Sequence, residues 1–232
     1  HAFTLGRPDM GTISRDEALA HASDLVAAVN VPVSGDFENG FGEAPDHVAE
    51  TVRLSAEAGL AGISLEDTAL PGTEPYGFEL AVERIAAGAA AARALGRDFV
   101  LVARADGIMN GHYDIDEALR RLRAYDAAGA DCLYAPMPAT TQDLARICQI
   151  TAKPVNAIAA GATYTALSRA EFAALGVARI SLGSALARAT HGVIYHATKA
   201  MFDDGQFAPL APTVTGGAID ALLDQRNHIK AS

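Results

Sequence analysis

In VPVSGDFENGFG (31–42), Asp36 and Glu38 stand two residues apart where an apolar run ends, and GISLED (62–67) closes the next such run on Glu66 and Asp67. Residues i and i+2 of a strand share a face, so Asp36 and Glu38 can point the same way. With Glu66 from a neighbouring strand they form a set of three hard oxygen donors. Magnesium takes such ligands, keeps several waters and is completed by substrate oxygens; manganese accepts the same set. The plainer use of each acid is to cap a following helix or to face solvent. Gly40 and Gly42, either side of Phe41, would let the backbone turn tightly and approach a ligand, which makes Gly40 a candidate for substrate binding.

Arg104 closes another apolar run, FVLVAR. A guanidinium beside a metal clamps a carboxylate or phosphonate through its planar fork of donors; its plainer use is to pair with Glu66 or Asp106. His112, in NGHYDID, falls on a loop, and His21, His47, His191 and His196 fall on helical stretches, where packing or solvent accounts for them. Cys132 and Cys148 lack a C-x-x-C partner and are expected to be structural thiols.

The elements that must position these side chains follow a regular beat. Short apolar runs at 31–36, 61–67, 99–106, 131–136, 153–159 and 178–183 alternate with Ala-rich stretches whose apolar residues recur at three and four spacing. Three helix exits are alike: EAGLAGISLED, AAGADCLYAP and ALGVARISLG each run helix, Gly, a residue or two, then strand. A repeated αβ loop implies parallel strands joined by crossover helices. The runs look nearly all-apolar, as for a sheet covered on both faces.

A doubly wound sheet and a (βα)8 barrel both have this beat. The glycine fingerprint of a dinucleotide site is missing from SGDFENGFG, and polar residues follow strand after strand: Asp36, Glu66, Arg104, Pro136, Asn156 and Ser181. That pattern belongs to the C-terminal rim of a TIM barrel. Six strands are visible where eight are needed. HAFTLGRPDMGTI resembles a loop before a helix at 14–29 opened by a Ser14/Glu17 capping box, so the N-terminal strand region is expected to lie outside this sequence. The domains expected are a barrel at 1–205 and, at 206–232, a linker and an oligomerisation helix that packs on a neighbouring subunit.

The net charge of −10 disfavours nucleic acid and anionic membranes as partners. No signal peptide or membrane-length apolar run is visible, which by default suggests a cytoplasmic protein.

The quoted segments resemble the isocitrate lyase/phosphoenolpyruvate mutase superfamily. SGDFENGFG is similar to its D-x-D-x-G-(Y/F)-G, GISLED to its strand ending in Glu-Asp, VARAD to its V-A-R strand, and LGRPD to its Asp-bearing loop, in order from residue 1 to about 205. The resemblance implies a magnesium-dependent (βα)8 barrel with a swapped helix, assembled as a homotetramer, a dimer of dimers. It implies metal-site acids at Asp36, Glu38 and Glu66, an acid near metal and substrate at Asp9, a substrate-carboxylate clamp at Arg104, and a substrate contact at Asn156. Glu38 stands where Asp is usual.

The departures bear on chemistry. The lyases of that superfamily carry Lys-Lys-Cys-Gly-His on the loop after the Glu-Asp strand; here the loop is TALPGTEPYGFE (68–79), without Cys, Lys or His. Pro136 replaces the mutase histidine. The reaction implied is cleavage of a C–C bond in a small α-oxo acid, or in a 2-hydroxy di- or tricarboxylate, through a metal-stabilised enolate. Loss of the usual proton donor favours oxaloacetate-type decarboxylation, with Tyr76, Glu74 or a metal-bound water as acid. The alternatives are a phosphonopyruvate hydrolase or phosphonomutase, and a barrel that binds an oxo acid without turning it over.

Overall fold

A computed structural model describes residues 1–211 and 213–229, with the side chains of 225–229 excepted. The chain forms two compact units, His1–Ser181 and Leu182–Ser232. The division falls before the long helix at 185–204. Ala197 alone is buried on that helix among the described residues.

The first unit alternates strand and helix. In chain order it contains α1 (Arg15–Ala28), β1 (Ser34–Asp36), α2 (Pro45–Glu57), β2 (Gly62–Glu66), α3 (Phe78–Ala94), β3 (Val100–Arg104), α4 (Gly107–Asn110), α5 (Ile115–Ala127), β4 (Cys132–Tyr134), α6 (Thr141–Gln149), β5 (Val155–Ile158), α7 (Gly161–Thr165), α8 (Arg169–Ala174) and β6 (Arg179–Ser181). The second unit holds α9 (Ala185–Asp204) and α10 (Gly216–Ile229). Local chemistry sets the ends. Ser14 with Glu17, and Ser168 with Glu171, close full capping boxes. The three repeated exits turn on Gly59, Gly129 and Gly176, whose φ values of 92°, 106° and 95° suit glycine alone.

All six strands pair in parallel in sequence order, β1 to β6. The sheet curls. Arg179 Nη2 on β6 donates to Ser34 Oγ on β1 at 2.9 Å, whereas a flat sheet of six strands would hold its edges about 24 Å apart. The result is a partial TIM-type barrel.

The strands alternate, contrary to the all-apolar reading. One register row runs Glu66, Arg104, Tyr134, Asn156, Arg179, and another runs Asp36, Ser64, Val102, Cys132. These rows face the concave interior, where Val102, Cys132 and Tyr134 form a small apolar cluster. The residues between them, Ile63, Leu65, Leu101, Leu133 and Val155, pack outward against Val48, Val52, Ile85, Leu122 and Ile147 of the helices. Short strands hid the period: β4 spans three residues, too few to display it. Among the described residues no helix is long and apolar enough to cross a membrane.

Candidate active site

The acids and Arg104 meet where β1, β2 and β3 end. Arg104 Nη1 lies 2.9 Å from Asp36 Oδ2 and 3.2 Å from Glu66 Oε2, and Nε lies 2.5 Å from Asp106 Oδ1. Register explains the meeting, because Glu66 and Arg104 are partners across β2 and β3. Ser64 Oγ and the Glu38 N–H both donate to Asp36 Oδ1, at 3.3 and 3.2 Å. Glu38 is half-buried and accepts from the Gly11 N–H at 3.0 Å, which draws the Asp9 loop to the site.

Charge is crowded here. Burial, with Asp106, Asp36 and Glu38 nearby, holds Glu66 well above the usual carboxylate range, against the pull of Arg104. Burial raises Glu38 as well, assisted by Asp36 and Asp9 and opposed by the Gly11 N–H. Asp106 is pushed up to about 6 by burial, with Arg104 opposing. Burial alone would lower the Arg104 pKa; Asp106, Asp36 and Glu66 outweigh it and raise that pKa well above the ordinary value.

The donor set is that of a hard divalent cation, with carboxylates in excess over the single guanidinium. Among the described residues, however, no three His, Cys, Asp or Glu side chains converge on one point. Arg104 stands between Asp36 and Glu66, and Glu38 turns toward Gly11. The three acids thus share a rim, where a cation would displace a guanidinium contact rather than enter a finished cage. A cleft of about 570 Å³ opens beside Glu38, lined by Gly11, Ile13, Phe41, His47, Leu70 and Pro71 among others. That is the size of a small-molecule site.

Other expected residues stand elsewhere. Asn156 is fully buried on the concave face, with Oδ1 accepting from Arg179 at 2.9 Å and Nδ2 donating to Ser181 at 3.0 Å. Gly40 donates its N–H to Phe37 O, and a Cβ added there would meet Val48 at 3.2 Å and Leu65 at 3.3 Å, so the loop packs closely at this glycine. Tyr76 is not brought to the acids. It is buried, and its hydroxyl accepts from Asn39 Nδ2 at 2.9 Å. Thr68, at the start of its loop, is buried as well, a setting that composition alone does not disclose. Glu74 instead meets His112 at 3.3 Å. Arg84 and Arg179, both important to these loops and strands, were not singled out from the sequence because their partners are remote in it.

The family model of phosphoenolpyruvate phosphomutase matches residues 1–202. A 2,3-dimethylmalate lyase of Eubacterium barkeri is 36% identical over 210 residues, covering 87% of this chain and 68% of that protein. An oxaloacetate decarboxylase of Paraburkholderia xenovorans (strain LB400) is 30% identical over 237 aligned residues, covering 97% of this chain and 74% of that protein. Among solved structures, a Burkholderia cenocepacia J2315 protein provisionally named a lyase/mutase is 46% identical with a TM-score of 0.89, over 96% of this chain and 79% of its own. The rim acids, the order of the strands and the extent of these matches lead to one conclusion: this chain belongs to the phosphoenolpyruvate phosphomutase family.

Proposed function

We propose that the chain is a metal-dependent carbon–carbon lyase acting on a small oxo- or hydroxy-carboxylic acid. The observation that carries this reading is the placement of Arg104 against Asp36 and Glu66 at adjoining strand ends, with Glu38 bonded beside Asp36; of these four, Glu38 alone lines the neighbouring cleft. The names of the two relatives, a dimethylmalate lyase and an oxaloacetate decarboxylase, describe that class of reaction.

Asp36, Glu38 and Glu66 would hold magnesium or manganese, with Asp9 at its margin. When bound, the cation supplies Lewis-acid polarisation of the substrate's oxygens. Arg104 spends Nε and Nη1 on the acids, and the Nη2 corner remains to orient a substrate carboxylate. Tyr76 holds the loop through Asn39 rather than donating a proton. The loop 68–79 offers no Cys, Lys or His, which favours a reaction that asks little of a side-chain acid, such as decarboxylation of a 2-oxo diacid.

The same reading completes the six strands to an eight-stranded barrel and assembles the chain as a homotetramer with a swapped helix. Exposed Leu186, Val193, Ile194 and Phe202 on α9, with Leu222 and Leu223 on α10, support it as the surface a neighbour would cover.

The test is turnover by the purified protein with magnesium or manganese. Oxaloacetate, 2,3-dimethylmalate, 2-methylisocitrate and phosphonopyruvate are offered in turn. Consumption of one of the first three supports the reading. Phosphate release from phosphonopyruvate alone would replace it with P–C cleavage. A thermal shift with magnesium and oxalate, without any turnover, would leave a binding protein.

A further inference from the structure

The loop after β1 has a backbone that residues with a Cβ avoid. Glu38, Gly40 and Phe41 adopt φ of 50°, 83° and 60°. Such a run persists only where its surroundings over-determine it.

Here most of its carbonyls are engaged from outside. Arg84 on α3 donates from Nη1 to Gly42 O at 2.6 Å and to Glu43 O, and from Nη2 to Asn39 O. Thr51 on α2 donates to Gly40 O at 2.7 Å. The Glu66 N–H donates to Glu38 O at 2.9 Å, tying the loop to the next acid. The Arg84 guanidinium lies 4.2 Å from the Tyr76 ring centroid, and the Tyr76 hydroxyl accepts from Asn39. Asn39 Oδ1 in turn accepts from the Phe41 N–H at 3.1 Å. Arg84 is 3% exposed. A buried guanidinium spent on backbone carbonyls gains shape rather than ion pairing, since its rigid fork can address three oxygens at once.

We infer that Arg84 is a positioning residue: it holds the loop 38–43 in its left-handed form and so sets the Glu38 carboxylate beside Asp36 and Gly11. The inference rests on the reading of Glu38 as a donor to the divalent cation. Outer-shell partners of metal ligands typically govern about 10–100-fold in affinity.

The test uses Arg84→Met, Arg84→Lys, Glu38→Gln and the double variant Arg84→Met/Glu38→Gln, with folding checked by circular dichroism. Amide exchange is followed at Gly40, Phe41 and Glu66, whose N–H groups are bonded within or to the loop, with Leu133 as the control. Mn²⁺ affinity is measured by calorimetry. In Arg84→Met, exchange accelerates at the three loop-linked amides and not at Leu133, and Mn²⁺ affinity falls about 10-fold or more. Arg84→Lys lies between it and wild type. The double variant loses no more affinity than Glu38→Gln alone, because both act through one carboxylate. Wild-type exchange in Arg84→Met, unchanged Mn²⁺ affinity, or additive losses in the double variant would overturn the inference. If Arg84→Met does not fold, Arg84→Lys carries the same comparisons. If wild type binds no Mn²⁺, the reading of Glu38 falls and the positioning role toward the cation with it; an accelerated exchange profile would still show that Arg84 holds the loop.

Discussion

The Tyr125 hydroxyl donates to Asp67 Oδ2 at 3.0 Å, from the helix side of the sheet. Arg121 Nη1 and the Tyr113 hydroxyl reach the same oxygen at 3.0 and 2.9 Å, and the Asp106 N–H reaches Oδ1 at 2.8 Å. Glu66, one residue earlier, faces Arg104 on the concave side. Glu66 closes β2 and Asp67, the next residue, turns to the opposite side, so two adjacent carboxylates divide the work: Asp67 docks α5 and Glu66 serves the rim.

Asp67→Asn therefore removes one of the two carboxylates that Arg121 pairs with, Glu117 at 2.9 Å being the other, and disturbs the buried hydrogen bonds from Tyr113 and Tyr125, at a cost of about 1–3 kcal/mol of stability. Glu66→Gln removes a carboxylate that burial already disfavours; it leaves stability at or above wild type and abolishes turnover. Urea denaturation and steady-state assays on the two variants check the contrast. Equal destabilisation would refute the division.

Arg104→Lys keeps the charge and loses the fork. An ammonium cannot reach Asp106 and the Asp36/Glu66 pair at once from one position. A displaced clamp lowers kcat/KM about 10²-fold, read from initial rates at saturating metal.

Tyr76→Phe removes the Asn39 hydrogen bond and leaves a buried amide donor unsatisfied, a cost of about 1–3 kcal/mol. With the ring still stacked on Arg84, kcat stays at the wild-type level. A collapse of kcat with an unchanged melting temperature would instead restore Tyr76 as an acid.

Magnesium with oxalate raises the melting temperature, since any ligand of the native state at 100 times its Kd adds about 2.7 kcal/mol. EDTA reverses both the shift and the activity. Asp36→Asn and Glu38→Gln each reduce the shift in differential scanning fluorimetry; an undiminished shift in both would move the cation elsewhere.

The strands, their parallel order and the helix caps were legible because each depends on neighbours in the sequence. Ser14 and Glu17 lie three residues apart. Asp36, Glu66 and Arg104 were legible because each ends a strand. Arg84 was hidden among the alanines of α3, its carbonyl partners lying 41–45 residues away. The packing of Tyr76 was hidden for a different reason: an aromatic residue in a polar loop looks the same in sequence whether it is buried or exposed. The alternation of the short strands was not legible because three residues, as in β4, show too few repeats of the period.

The bond between Ser34 and Arg179 links residues 145 positions apart. Neighbouring strands here pair over much shorter separations, so sheet growth can follow chain order at modest loop-closure cost. This clasp cannot form until nearly the whole first unit has left the ribosome. High sequence separation places it late on the folding route, and the same seam, held by side chains rather than by a backbone ladder, is where the curved sheet is set to open first under denaturant.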